Sequence, residues 1–131
     1  MNRAALMRER MERWIQNQVF VPEHFAPDFV WDMRHAEWPG ADEYHGHEGV
    51  GQFFSEWLGA WKDWTYELED VVEGTENRVV VIGVQRGVNR AAEVPVEMRM
   101  GQVWTIDDAG RATRMEVYTD AAAGLAAAGA R

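Results

Sequence analysis

The chain contains no cysteine, which removes disulfide scaffolds, zinc sites built on thiolates and thiol nucleophiles from consideration. It also lacks any run near the roughly 18 apolar residues that a membrane-spanning helix needs. Its N-terminus carries Arg3, Arg8, Arg10 and Arg13 without the uninterrupted apolar stretch of a secretory signal, so a cytoplasmic location is expected. Basic charge is scarce: 13 Lys and Arg stand against 22 Asp and Glu, a formal charge of −9. That deficit argues against nucleic acid, whose phosphates need a basic footprint, and against an anionic membrane surface.

What the chain has in quantity is tryptophan, seven in 131 residues. The length fits one domain, 1–131, which at this size hides about two-thirds of the surface its unfolded chain exposes. Met7, Met11, Trp14 and Ile15 recur at helical spacing, which predicts an amphipathic helix over 3–18. Pro22 to Phe25 suits one helical turn closed by Pro27, and Phe29 to Met33 alternates like a strand. Residues 34–46 read as loop. Val50, Phe53, Phe54, Trp57, Leu58 and Trp61 share one helix face.

The second half reads as strands. Trp64, Tyr66, Leu68 and Val72 form one alternating row, with Val71 in the other. Residues 73–77 are a turn, and Arg78 to Val88 is a strand apolar on both faces, so its register stays open. Val94 to Ile106 has one face apolar except for Gln102. Residues 107–110 turn the chain back into Arg111 to Tyr118, and Asp120 to Ala128 is helical. Helices followed by a long antiparallel run indicate an α+β fold with helices on one sheet face.

Three groups of residues carry a family resemblance. They are Phe29-Val30-Trp31-Asp32, then Tyr44 to Val50 with Phe53-Phe54, then Gly101 to Thr105 with Glu116 to Asp120. In this order they resemble the SnoaL-like branch of the nuclear-transport-factor-2-like superfamily across nearly the whole chain. The resemblance implies a cone-shaped, curved antiparallel or mixed sheet wrapped around three N-terminal helices. It implies a pocket, but no single activity, because the fold hosts isomerases, polyketide cyclases, epoxide hydrolases and non-enzymes.

Family chemistry transfers residue by residue. The isomerase pattern places its carboxylate base at Asp32, flanked by Trp31 and Trp38. Among Trp31, Tyr44 and Phe54 that carboxyl is expected to have a raised pKa. The two oxyanion donors of that pattern fall at Trp14 and Gln102, an indole and an amide in place of a phenol and a carboxylic acid. The cyclase pattern meets Val117 and Trp104 where it needs aspartate and histidine. The epoxide-hydrolase pattern finds Arg99 but Gly101 and Val117 at its aspartates. Asp32 also has an ordinary alternative, bonding to backbone near Arg34 at a strand end.

The pocket wall is expected from Trp31, Tyr44, Phe54, Trp57 and Trp61, together with Tyr66, Met100, Trp104 and Val117. His45 and His47, near Asp42, Glu43 and Glu48, look like metal ligands. As alternating residues of a glycine-containing loop they are expected to be solvated, and no metal or other cofactor is expected. Glu97, Arg99, Arg114 and Glu116 should form an ion-pair ladder on the outer sheet face. Val103 and Tyr118 on that face would suit a homodimer. Two functional readings follow. One is a pocket for a small, largely apolar, aromatic or polycyclic molecule, with Asp32 abstracting a proton beside a carbonyl if the chain is an enzyme. The other is a non-catalytic ligand-binding or dimeric interaction module.

Overall fold

The computed structural model describes residues 1–36 and 42–130. Helix α1 (Arg3–Asn17) starts at Asn2, whose side chain accepts the Ala5 N–H, and stops at Gln18 in the left-handed region. A single 3₁₀ turn (Pro22–His24) leads into β1 (Phe25–Asp32), and a second (Arg34–Ala36) follows it. Strand β1 begins earlier than its alternation suggests, and Pro27 lies inside it rather than before it. The register with its neighbour shifts between Phe25 and Val30, and such an irregularity is where a strand tolerates a residue without an N–H.

A short β2 (Glu43–His45) falls in the segment read as loop and pairs antiparallel with β1. Helix α2 (Gly46–Gly59) starts four residues before the apolar periodicity does. Its first turn is glycine-rich for a reason: a Cβ at Gly49 would lie 2.8 Å from the Tyr44 backbone carbon. Trp61 opens β3 (Trp61–Glu73) instead of ending the helix. Strands β4 (Arg78–Asn89), β5 (Pro95–Ile106) and β6 (Ala112–Tyr118) follow, and α3 (Ala121–Ala127) closes the chain.

The six strands form one curved, unclosed sheet in the order β2-β1-β6-β5-β4-β3. Among the described residues, only β1 and β6 run parallel. A register shift between Leu68 and Asp70 inverts the parity of β3. Val71 therefore joins the inner core and Val72 the outer one, the reverse of the simple alternation. A one-residue slip moves every later side chain to the other face.

Two cores sit on the two faces. The inner one lies under α1 and α2 and holds Phe29, Trp31, Val50, Trp104, Ile106 and Met115. The outer one is smaller: Ala121 and Ala128 of the C-terminal segment cover Val80, Ile82 and Val103. This settles β4, whose odd residues Val79 and Val81 face inward and whose even residues face α3. It also corrects the reason for expecting a sheet-to-sheet dimer, because Val103 is 1 % exposed and covered by the chain's own helix. The rest of the outer face carries Arg86–Glu97 (3.0 Å) and Arg99–Glu69 (2.6 Å) ion pairs, as its cross-strand spacing suggests.

Candidate functional site

The inner face encloses a cavity of about 120 Å³. Met7, Met11 and Trp14 of α1 wall one side, and Phe53, Phe54 and Trp57 of α2 another. The sheet supplies Trp31, Trp64, Tyr66, Met100, Trp104 and Val117. The rings brace one another. Trp31 lies 4.6 Å from Phe53 and edge-on to Trp104 at 5.9 Å, and Trp14 contacts both Phe54 (5.5 Å) and Trp64 (5.7 Å).

Two glutamines give this apolar wall its polarity, Gln85 at 6 % and Gln102 at 8 % exposure. The Trp104 indole N–H donates to Gln102 Oε1 at 3.2 Å, and the Trp64 indole N–H donates to Gln85 Oε1 at 3.1 Å. The Gln85 amide nitrogen reaches the Met100 sulfur at 3.3 Å. Tyr66 lies across Gly83, where a Cβ would meet its hydroxyl at 2.2 Å. Glycine is the residue that leaves room for that ring. Burial, with the Glu69 charge a lesser cause, pushes the Tyr66 hydroxyl far above the ordinary phenol range, so it stays protonated.

Arg10, Arg13 and His24 also line the cavity. Arg10 donates to the Gly110 carbonyl oxygen (2.6 Å), while its buried Nε has no partner. Burial, then the charges of Arg10 and Arg13, lowers the His24 pKa, with Glu23 and Glu9 opposing. Among the described residues, no aspartate or glutamate lines the cavity.

Asp32 is elsewhere. It follows Trp31 on a strand and so projects to the opposite face. There it is fully buried, and Arg34 binds it through its backbone N–H (2.9 Å), Nε (3.0 Å) and Nη2 (3.0 Å). Arg114 from β6 donates to the same Oδ2 that accepts from Arg34 Nη2, and Glu43 lies 3.2 Å from Arg34. Burial alone would raise the Asp32 pKa, but the Arg34 hydrogen bonds and the charges of Arg34 and Arg114 hold it below the usual carboxylate range. The expected raised pKa is therefore reversed in sign, because the neighbours are guanidinium groups and not aromatic rings.

Asp32, His35 and Glu116 bring three potential ligand atoms within 4.8 Å of one another. His35 lies 3.1 Å from Glu116 and stacks on Tyr118. Both Asp32 oxygens are already committed to arginines whose positive charge opposes a cation, so the arrangement is that of an ion-pair network. His47 is engaged with the Phe25 carbonyl oxygen at 3.0 Å.

Of the residues anticipated from sequence, the structure brings Trp14, Gln102, Trp31, Phe54 and Trp57 to the cavity, with Tyr66, Met100, Trp104 and Val117. Tyr44 and Trp61 are not in the wall. The Tyr44 hydroxyl donates to Glu56 (3.0 Å) beside an acidic surface groove, and Trp61 is core packed on Trp57 at 5.6 Å. Trp38 lies outside the described residues. Sequence reasoning missed Gln85 and the rim residues Arg10, Arg13 and His24. Gln85 had a signal: like Gln102, it is a lone amide in an apolar row.

Several solved structures share this architecture. A nuclear-transport-factor-2-like protein of unknown function from Burkholderia pseudomallei is 23% identical over 99% of this chain and 100% of its own, with a TM-score of 0.69. A nuclear-transport-factor-2-like protein from Burkholderia thailandensis is 20% identical, covers 95% and 98% of the two chains, and superposes with a TM-score of 0.74. A SnoaL-like polyketide cyclase, so described, from Shewanella denitrificans is 12% identical over 96% and 95%, with a TM-score of 0.69. Among curated proteins nothing matches. The SnoaL-like domain family matches residues 4–115, most of the chain including every strand that walls the cavity except the end of β6. The chain therefore belongs to the SnoaL-like domain family.

Proposed function

We propose that the chain binds a small, largely apolar molecule in the inner cavity and that Asp32 takes no part in its chemistry. The observation that carries this reading is the cavity wall itself, aromatic on most sides, polar at two glutamine amides, a tyrosine and the Arg10, Arg13 and His24 rim, and without a carboxylate among the described residues. Proton abstraction of the isomerase type needs a base within hydrogen-bond reach of the substrate, and a carboxylate on the opposite sheet face has no such reach. Binding needs only what is present: concavity, apolar surface and a few polar groups.

The volume narrows the ligand. About 120 Å³ is on the scale of cavities that admit one benzene-sized ring and below the roughly 300 Å³ where drug-sized pockets begin. A single-ring body fits this interior, whereas a polycyclic one would require the tryptophans to move. That a small organic molecule can be bound has support by analogy of fold, from one relative crystallised with trimethylamine and one with polyporic acid, which bear on binding and not on the ring count. A dimeric interaction module has less support, since α3 occupies the apolar part of the outer face.

Tryptophan fluorescence titrated with one-ring aromatic compounds tests the reading. Saturable quenching or a blue shift is expected, because Trp14, Trp31, Trp57, Trp64 and Trp104 all border the cavity. No response to any one-ring probe would sink it.

A further inference from the structure

The spare hydrogen-bonding capacity of the cavity is weighted toward donation. An indole N–H can only donate, so the glutamine atom facing each indole must be the carbonyl oxygen. Trp104 thereby fixes the Gln102 amide with its oxygen accepting the indole N–H and its NH₂ without a partner among the described residues. Trp64 does the same for Gln85, whose NH₂ has only the Met100 sulfur, a weak acceptor. The Tyr66 hydroxyl is held protonated, and the Trp14 indole adds another donor to the wall. Each glutamine oxygen already accepts an indole N–H, while the glutamine NH₂ groups keep donors to spare.

The charge around the cavity agrees. The chain as a whole carries −9, yet the charged or titratable groups lining the cavity among the described residues are Arg10, Arg13, His24 and the neutral Tyr66. Glu9 pairs with Arg13 at 3.1 Å from outside the wall. An acceptor entering this space meets the spare glutamine N–H donors on the sheet side and the Arg10 and Arg13 guanidinium groups at the rim. A ligand bringing its own buried N–H group would meet no carboxylate among the described lining residues, only glutamine oxygens that each already accept an indole N–H, a tyrosine hydroxyl and an imidazole.

We propose that the cavity is a donor site selective for a one-ring molecule carrying a carbonyl or carboxylate oxygen, with Trp104 and Trp64 as the positioning residues that set this preference. The proposal rests on the reading that the cavity holds a small apolar molecule, and it adds which polar group that molecule must present.

Four matched probes separate the two claims by calorimetric titration: toluene, acetophenone, benzoate and benzylamine. Acetophenone, benzoate or both should bind at least about fivefold tighter than toluene, the worth of one net hydrogen bond. Benzylamine, a cationic donor at neutral pH, should bind more weakly than toluene. Equal affinity of toluene and the oxygen-bearing probes, or tight binding of benzylamine, overturns the donor assignment while leaving the cavity reading intact. Binding of none of the four overturns both. Trp104→Phe keeps a ring but releases the Gln102 carbonyl. It should reduce the acetophenone-over-toluene preference to less than about twofold, a ratio that cancels any change in packing shared by the two probes. Uniform weakening of all probes would mean that Trp104 only packs. Gln102→Leu reads the same preference should Trp104→Phe fold poorly.

Discussion

Trp31 and Asp32 are adjacent in the chain and both nearly or fully buried, at 4 % and 0 % exposure, yet they belong to different kinds of interior. Trp31 enters an aromatic cluster whose few polar groups are left with open hydrogen bonds. Asp32 enters a network in which its oxygens are taken by Arg34 and Arg114, with Glu43, His35 and Glu116 around them. The inner side of β1 has unmet donors and room. The outer side has matched charges and no room. Burial of a titratable group is therefore a poor guide to function by itself; what matters is whether its partners are already present. A carboxylate with a full set of donors supports the fold, whereas an amide with a spare NH₂ can serve a ligand.

The contrast can be broken by substitutions on either side. The largest effect is expected inside: Trp104→Ala removes a ring packed against Phe25, Phe29 and Trp31 and should cost about 3–5 kcal/mol by chemical denaturation. A cost below about 1 kcal/mol would mean the aromatic cluster is loosely packed. On the outer side, Asp32→Ala removes the shared acceptor of two arginines. Because the Arg34 and Arg114 side chains are 53 % and 34 % exposed they rehydrate in part, and about 2 kcal/mol of lost stability is expected. Ligand affinity should not change; a weakened affinity would reconnect the two faces.

The same residue has a pH signature. Its pKa lies lower in the folded chain than in the unfolded one, so its contribution is complete above the ordinary aspartate value of about 4 and is lost as pH falls through the folded value. In Asp32→Ala the part of the acid limb due to this group should disappear; an identical acid limb in both proteins would assign it to other carboxylates. The smallest effect belongs to the outer core. Asp120 caps α3 by accepting the Ala122 N–H at 3.0 Å, and Asp120→Ala should cost about 1 kcal/mol without changing ligand affinity.

Much of this was legible in the residues. The two long helices, the four long strands, the inward row Met98-Met100-Gln102-Trp104-Ile106 and the capping helix at Asp120 follow from period and turn chemistry, and family resemblance supplied their arrangement. What periodicity missed has local causes. The bulge after Leu68 exchanged Val71 and Val72 between cores, and β2 is three residues long with no alternation to read. Trp61 kept the helical phase of α2 by coincidence and belongs to β3. Asp32 was legible as a strand-end residue bonded near Arg34. Its second partner, Arg114, lies 82 positions away and is brought close only by the parallel pairing of β1 with β6.

By itself, then, the sequence determined the helices and strands of an aromatic-rich α+β fold, because hydrophobic period and turn residues act over a few neighbours, and the family resemblance implied their cone-shaped arrangement. It also determined which residue types were available to chemistry. Only the tertiary structure decided which of them meet. The side of β1 that holds Asp32, the arginines that neutralise it and the indoles that orient the two glutamines all depend on cross-strand register, a property of strand pairing and not of any one strand. That register put Asp32 on the sheet face opposite the cavity and left the aromatic wall without a carboxylate among the described residues.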